Sequence, residues 1–165
     1  MAEKQMQAAA LNLSAMDVKF AAEILTRPGG EHLFCCFACG TCTLTCPVAE
    51  VTDSYNPRGI IRRILLGQKE EVLSDLTIWY CRTCFRCSVH CPQDVRFTHI
   101  MQILRQLAVE QGYVTPEFVQ AIHELDQATE RLRIRALAEL AKSSKDTAQP
   151  DLASLITNVA NAKEV

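Results

Sequence analysis

This sequence of 165 residues contains two runs of cysteines with the same spacing, and these cysteines are the residues most suited to bind a metal cofactor. The first run contains Cys36, Cys39, Cys42 and Cys46, with Pro47 directly after it. The second run repeats this spacing down to the proline, with Cys81, Cys84, Cys87, Cys91 and then Pro92. A cysteine at every third position, followed by a fourth and a proline, is typical of a run that binds a [4Fe–4S] cluster. The repeat therefore predicts two cubane iron–sulfur clusters.

The fourth cysteine of each run is expected to bind the cluster of the other run. One tight loop can supply three thiolates to a cubane about 6 Å across, and in proteins with two such clusters the cysteine before the proline crosses over. The predicted iron ligands are Cys36, Cys39, Cys42 and Cys91 for the first cluster, and Cys81, Cys84, Cys87 and Cys46 for the second. With a cysteine on every iron, no iron is open to substrate, which favours electron transfer over Lewis-acid catalysis.

Structural zinc and disulfides are weaker interpretations of the same cysteines. A zinc site built from two Cys-x2-Cys pairs, commonly about 15–20 residues apart, has no use for a third cysteine and a Cys-Pro in each arm. Nine cysteines, an odd number, argue against a disulfide framework and are compatible with a reducing compartment. Cys35 falls outside the spacing and is expected to be a small buried thiol. A module in which metal only holds the fold is the alternative, and it would show no reversible one-electron chemistry.

Residues beside the cysteines predict how the clusters would be tuned. Gly40 would let the backbone approach a sulfur closely. Arg82 and Arg86 would place positive charge beside a cluster and raise its reduction potential, although they could equally be solvated surface residues. Four aromatic residues could exclude water or simply belong to the core: Phe34, Phe37, Trp79 and Phe85. The four histidines have no ligand spacing of their own and are interpreted as ordinary side chains.

The elements that position the cysteines are predicted to be helices, because no stretch alternates apolar and polar residues as a strand does. A first helix is expected from Ser14, with Val18, Ala21, Ala22 and Leu25 on one face. Asn56 before Pro57 predicts the start of a second helix that ends at Gly67. Asp75 could cap a short helix that leads through Trp79 into the second run. Two longer helices follow, from Thr98 to Gly112 and from Pro116 to about Lys142.

The predicted fold class is all-α, a small helical bundle around two [4Fe–4S] clusters. The chain between the two runs must leave and return to the same place, so that the crossed ligands can meet. The predicted organisation is a flexible arm over residues 1–13, one domain over 14–142 that holds both clusters, and a loose tail over 143–165 in which a short helix could form.

Composition excludes several other functions. The formal net charge of −2 lacks the basic footprint of a nucleic-acid-binding protein. No apolar run approaches the roughly 18 residues of a membrane helix, and the first ten residues do not resemble a signal peptide. The six glycines form neither a dinucleotide-binding motif nor a phosphate loop. The sequence therefore predicts a soluble, cytoplasmic protein. A flavin or nicotinamide that takes part in its reaction is expected to be bound by a partner protein.

Beyond the cysteines, the sequence resembles the C subunit of heterodisulfide reductase from about Asp17 to Gly112. The cysteine runs alone are shared with many iron–sulfur subunits, including those of succinate and glycerol-3-phosphate dehydrogenases. The more specific segments are Asn56-Pro57-Arg58-Gly59-Ile60-Ile61, Leu65-Leu66-Gly67, Glu71-Val72-Leu73, Ile78-Trp79 before the second run, and Gln93-Asp94-Val95 after it. The resemblance implies an α-helical ferredoxin fold.

The resemblance also implies a function within a hetero-oligomer. In that family, the C subunit is a non-catalytic relay that passes electrons between the A subunit, which carries flavin and iron–sulfur clusters, and the disulfide-active B subunit. The B subunit is marked by Cys-Cys-Gly motifs, whereas Phe37 follows Cys35-Cys36 here. The related complex of sulfur oxidisers belongs to the same group, and there electrons would flow out of a sulfur substrate. The alternatives are a freestanding soluble carrier with two clusters and an iron–sulfur subunit of another dehydrogenase or reductase.

Overall fold

A computed structural model describes residues 16–143 and 151–161 of the protein. Over these residues the regular secondary structure is helical and contains no β-strand. The all-α prediction is therefore confirmed for this part of the chain. The predicted arm over residues 1–13, the cap at Ser14 and the tail segments 144–150 and 162–165 lie outside the described residues.

The helices fall into two compact units, one that ends at Val114 and one that begins at Thr115. The predicted single domain over 14–142 therefore spans parts of both units. In chain order the helices are α1 (Phe20–Leu25), α2 (Thr41–Leu44), α3 (Pro57–Leu65), α4 (Lys69–Leu73), α5 (Arg86–Val89), α6 (Phe97–Glu110), α7 (Pro116–Ser143) and α8 (Leu152–Asn161). Short 3₁₀ helices span Leu33–Cys35 and Leu76–Trp79.

Helix α6 is the central element of the first unit. It contacts α1, α4, α5 and the 3₁₀ helix that precedes the second cysteine run. Its inward face is almost completely buried and includes Ile100, Met101, Leu104 and Leu107. Burial of such side chains contributes about 1.5–3 kcal/mol each to the free energy of unfolding. Helix α6 therefore provides the apolar support on which the second run rests.

Helix α3 begins as the sequence predicts. The Oδ1 atom of Asn56 accepts a hydrogen bond from the amide of Gly59 at 2.9 Å, and Pro57 occupies the first turn. Gly67 follows the helix with a φ of +77°, and its carbonyl oxygen accepts the amide of Asp17 at 2.8 Å. A Cβ atom at Gly67 would lie 2.6 Å from the carbonyl oxygen of Asp17, so glycine is required there.

The predicted apolar face of the first helix is wrong in part. Val18 is 88% exposed, and the buried residues are Phe20, Ala21 and Ile24. The reason is the starting point of the helix: Asp17 accepts hydrogen bonds from the amides of Lys19 and Phe20, so Val18 lies in a turn before α1. Val18 therefore lies outside the helix and does not belong to its apolar face.

The described part of the second unit consists of α7 and α8, which pack against each other. The long helix from Pro116 is confirmed, and α8 supplies the short helix that the sequence allowed within residues 143–165. Val159 of α8 is buried, whereas Leu125 and Ile134 of α7 are more than half exposed. In the described parts of both units, no helix combines the length and the apolar character needed to cross a membrane.

Candidate iron–sulfur centre

The two cysteine runs have the same backbone conformation. Each run places its third and fifth residues in the left-handed region, with φ values of 59° and 85° at Ala38 and Gly40 and of 48° and 62° at Thr83 and Phe85. Each then enters a single helical turn, α2 or α5, preceded by a carbonyl oxygen that accepts two amides at 3.0 Å. The internal repeat of the sequence is therefore a structural repeat as well.

The fifth residue is a glycine in the first run and a phenylalanine in the second, although both adopt the left-handed conformation. Gly40 adopts it without strain, while Phe85 is a bulky residue for which a positive φ is uncommon. The Phe85 ring makes an edge-on contact with His99 at 5.6 Å between centroids, which offsets part of this cost. Arg58 is the side chain nearest to the point where a Cβ atom of Gly40 would lie, and the close approach of the Gly40 backbone to a sulfur stays a prediction.

Helices α2 and α5 contact each other, and this contact brings the two runs side by side. Beside them lies a small cavity lined by residues of both runs. Its lining contains the four cysteines predicted for the first cluster, Cys36, Cys39, Cys42 and Cys91, together with Cys87. Arg58 and the apolar side chains of Ile61, Val95 and Phe97 complete much of the wall. Three sulfur donors from one loop and one from the other run fit the donor set of a cubane cluster.

Tyr55 marks the place where ligands predicted for the second cluster meet. Its side chain is only 2% exposed, and its surroundings include the thiols of Cys81, Cys46 and Cys87. Burial, together with these neighbouring thiols, raises the pKa of Tyr55, so the hydroxyl remains protonated. Cys46 from the first run thus lies with two cysteines of the second. Cys84, the remaining predicted ligand, is exposed and interacts with Cys87.

All nine cysteines are free thiols, and their environments differ. Burial raises the pKa of the Cys42 thiol to about 11, while a hydrogen bond with Thr41 lowers the pKa of the exposed Cys39 thiol. The amide of Val95 donates to the Cys91 sulfur at 3.4 Å. Iron binds the thiolate, so a buried thiol such as Cys42 must release its proton when the metal binds.

A single metal ion has no ready site among the described residues. No group of three or more His, Cys, Asp or Glu side chains in that part of the chain is arranged to hold one ion. A cubane makes a different demand, since its cysteine sulfurs stand about 6 Å apart around the metal core. A larger depression on the surface is lined by residues such as Arg62, Arg63 and Asp75 and contains no cysteine.

The start of α3 is fastened to the first run through Thr43. The Thr43 hydroxyl donates to Asn56 Oδ1 at 3.0 Å and accepts the amide of Arg58 at 3.0 Å. This arrangement puts the Arg58 side chain in the cavity wall, and its positive charge contributes to the lowered pKa of Cys39. Sequence reasoning considered Arg82 and Arg86 instead and missed Arg58. The signal that could have found it is its position in the first turn of a helix capped by Asn56.

Arg105 of α6 fixes the backbone that enters the second run. Its Nη2 atom donates to the carbonyl oxygen of Cys81 at 2.6 Å, and its Nε atom donates to that of Ile78 at 3.0 Å. The guanidinium also lies 5.4 Å from the centre of the Trp79 ring. These contacts give the tryptophan before Cys81 a structural role, and they were not predicted.

Two predictions about the surroundings of the cysteines are wrong. Phe34 and Phe37 are 59% and 61% exposed, and Phe85 is also exposed, so these rings do not form a shield against water. Phe97 and Tyr55 are buried in their place, because α6 and the segment before α3 pack inward. Cys35, expected as a buried thiol, is exposed at the end of a 3₁₀ helix.

Residues 32–95 match the family model of a 4Fe-4S dicluster domain. This match and the nine cysteines confirm the prediction of two [4Fe–4S] clusters. The C subunit of the H2:CoB-CoM heterodisulfide,ferredoxin reductase of Methanothermobacter marburgensis is 39% identical to the chain over 94 residues, which cover 57% of this chain and 50% of that protein. The resemblance to the C subunit of heterodisulfide reductase is confirmed.

Other relatives agree with this result. The iron-sulfur C subunit of the CoB--CoM heterodisulfide reductase of Methanopyrus kandleri is 39% identical over 79 residues, or 48% of this chain and 41% of that protein. A protein of Archaeoglobus profundus that is named as similar to the heterodisulfide reductase C subunit is 34% identical over 113 residues, covering 67% of this chain and 60% of that protein. The chain spans about half the length of the Methanothermobacter relatives it matches.

The dicluster segment contains the cysteines but only part of the surroundings that the structure gives them. Residues 32–95 include Tyr55, Asn56 and Arg58. Thr98 and Arg105, which contact Cys87 and the Cys81 backbone, lie beyond it in α6. The cysteine centre therefore depends on a helix outside the segment that the family model matches.

Proposed function

We propose that this chain is the electron-relay subunit, corresponding to the C subunit, of a heterodisulfide-reductase-like complex. The observation that carries this proposal is the cavity in which Cys36, Cys39 and Cys42 of one run meet Cys91 of the other. This combination supplies four cysteines, one for each iron of one cubane, and takes one of them from the other run as a crossed pair of clusters would. The proposed fold is accordingly a helical bundle, of the α-helical ferredoxin type, built around two clusters.

The proposed ligand sets are those of the crossed pattern, and the cavity lining supports the first of them. We assign Cys36, Cys39, Cys42 and Cys91 to the first cluster, and Cys81, Cys84, Cys87 and Cys46 to the second. When bound, each cluster would accept and release one electron at a time. Ile61, Val95 and Phe97 would exclude water from the inner side of the first site, and Arg58 would balance part of its negative charge.

A relay between two partners needs access to both clusters. Cys39 and Cys84, the second cysteines of the two runs, are exposed, so each cluster would have an edge at the surface of the chain. The proposed partners are an A subunit with flavin and iron–sulfur clusters and a disulfide-active B subunit, which we call the flavin partner and the disulfide partner. Nine free thiols are expected in a reducing compartment, and the proposed location of the complex is the cytoplasm.

The first test is anaerobic analysis of iron and acid-labile sulfide in the purified chain, with EPR spectroscopy of the reduced sample. We expect about eight irons and eight sulfides per chain, and S = 1/2 signals that interact because the clusters are neighbours. The Cys36→Ser variant should lose about half of the iron. The matched control is Cys35→Ser, which removes the adjacent thiol outside the ligand set and should retain both clusters.

The second test concerns the partners. The flavin partner and the disulfide partner, produced together with this chain, should co-purify with it, and the disulfide partner should reoxidise the chemically reduced chain. Zinc in place of iron, or a single cluster in the unaltered chain, would contradict the relay. Two reducible clusters without stable association, combined with transfer to unrelated acceptors, would identify a freestanding carrier instead.

A further inference from the structure

The side chain of Thr98 is completely buried. In the part of the chain that the structure describes, it is the only buried polar side chain when Tyr55 and the cysteines are counted as apolar. It lies in the first turn of α6, and its hydroxyl oxygen is 3.3 Å from the sulfur of Cys87, which is itself buried. A hydroxyl buried without a hydrogen bond costs about 1–3 kcal/mol, so this contact has energetic weight. The hydroxyl is therefore held against a predicted ligand of the second cluster.

The direction of the hydrogen bonds follows from their partners. The Ser88 hydroxyl donates to Thr98 Oγ1 at 3.3 Å, which leaves the Thr98 proton available. A cysteine bound to iron is a thiolate and has no proton to give. Thr98 must then donate to the Cys87 sulfur, and the donors form a chain from Ser88 through Thr98 to Cys87.

The equivalent position in the first run has a different arrangement. Thr43 follows Cys42 as Ser88 follows Cys87, but the Thr43 hydroxyl donates to Asn56 Oδ1 at 3.0 Å. Because an amide oxygen only accepts, the Thr43 proton is used in fastening α3. The hydroxyl that contacts the Cys39 sulfur is that of Thr41, at an exposed site where water competes. The two runs share a backbone but not their hydrogen bonds to sulfur.

We propose that Thr98 raises the reduction potential of the second cluster selectively, by donating a hydrogen bond to the Cys87 sulfur. This proposal rests on the ligand sets assigned above. Reduction adds negative charge that spreads onto the sulfurs, and a donor to sulfur stabilises the reduced form more than the oxidised form. In a buried site this effect is large, because water does not screen it.

The test is an EPR-monitored redox titration of the full chain with both clusters bound. Thr98→Val removes the hydroxyl at nearly constant volume and should lower one of the two midpoint potentials. Thr98→Ser retains the hydroxyl and should restore that potential. Thr41→Val is the control in the first run and should leave the same potential unchanged. Thr98→Ala removes the hydroxyl in a second way and should lower the same potential as Thr98→Val.

The outcomes separate this inference from the function on which it rests. Unchanged potentials in Thr98→Val, with two intact clusters, would overturn the role of the hydroxyl and leave the relay in place. Equal loss of potential in Thr98→Val and Thr98→Ser would show that Thr98 acts through packing, which also overturns the proposal. Fewer than two reducible clusters in the unaltered chain would overturn the ligand sets and the inference together. If Thr98→Val fails to fold, comparison of Thr98→Ala with Thr98→Ser decides the matter.

Discussion

Cys46 and Cys91 hold equivalent positions in their runs, and each lies with cysteines of the other run. Cys91 lines the cavity with Cys36, Cys39 and Cys42, while Cys46 lies with Cys81 and Cys87 around Tyr55. A single residue therefore belongs by sequence to one motif and by space to the other. Substitution of Cys46 or Cys91 should therefore damage the cluster that is bound mainly by the other run.

The crossed arrangement predicts which variants resemble one another. Cys46→Ser and Cys87→Ser should both lose the second cluster, and Cys91→Ser and Cys42→Ser should both lose the first. The physical reason is that a cubane held by three cysteines exposes an iron and becomes labile. EPR and iron content of the four variants provide the measurement, with about half the iron left in each. If the spectrum of Cys46→Ser matches that of Cys42→Ser, each run binds its own cluster and the crossing is wrong.

The limits of sequence reasoning are clearest at this scale. Cysteine spacing is a local property of a tight loop, so the two runs and their cofactor could be predicted from the sequence. Burial is decided by elements distant in the sequence: α6 supplies Thr98 and Arg105, and the segment before α3 supplies Tyr55. Residues close to the cysteines in sequence were favoured instead. Phe37, although it adjoins Cys36, is largely exposed to solvent.

Helix α3 shows how one element couples the fold to the centre. Its cap residue, Asn56, accepts both the Gly59 amide and the Thr43 hydroxyl, and Arg58 in its first turn lines the cavity. Asparagine before proline is a strong local signal, so this start could be predicted, as could the long helix from Pro116. Helix α4 carries no such signal in its five residues and was missed. Its apolar residues, Val72 and Leu73, become buried only in the assembled unit.

Loss of the α3 cap should affect both stability and the first cluster. Asn56→Ala removes the acceptor for Gly59 and Thr43, and we expect it to lower the free energy of unfolding by about 1–2 kcal/mol. It should also accelerate loss of the first cluster, because Arg58 and Ile61 no longer stand at a fixed distance from the cysteines. Urea unfolding followed by circular dichroism gives the stability, and absorbance of the clusters gives their rate of loss.

A matched variant separates capping from other effects of the substitution. Asn56→Ser retains a capping oxygen and should behave nearly as the unaltered chain does. Asp75→Ala removes the cap of the 3₁₀ helix over Leu76–Trp79, where the carboxylate accepts the Thr77 amide at 2.8 Å and pairs with Arg63. It should disturb the second run more than the first. Equal stability of Asn56→Ala and the unaltered chain would show that the cap is not important for α3.

On the scale of the whole molecule, the residues that could bind the clusters all belong to one of the two units. All nine cysteines, the cavity and the buried face of α6 belong to the unit that ends at Val114. From Thr115 onward the described residues form two helices, and the sequence of this unit contains no cysteine. An apolar core that includes Phe20, Ile60 and Leu104 is complete within the first unit. Such a core is a sufficient basis for independent folding around bound clusters.

A chain that ends after Val114 should therefore retain both clusters. We expect about eight irons per chain, and EPR signals and midpoint potentials equal to those of the full-length protein, because none of the assigned ligands or their hydrogen-bond partners is removed. Thermal loss of cluster absorbance, compared between the two chains, measures what the second unit adds to stability. Loss of either cluster on truncation would mean that α7 or α8 supports the centre, and the division at Val114 would then not be a division of function.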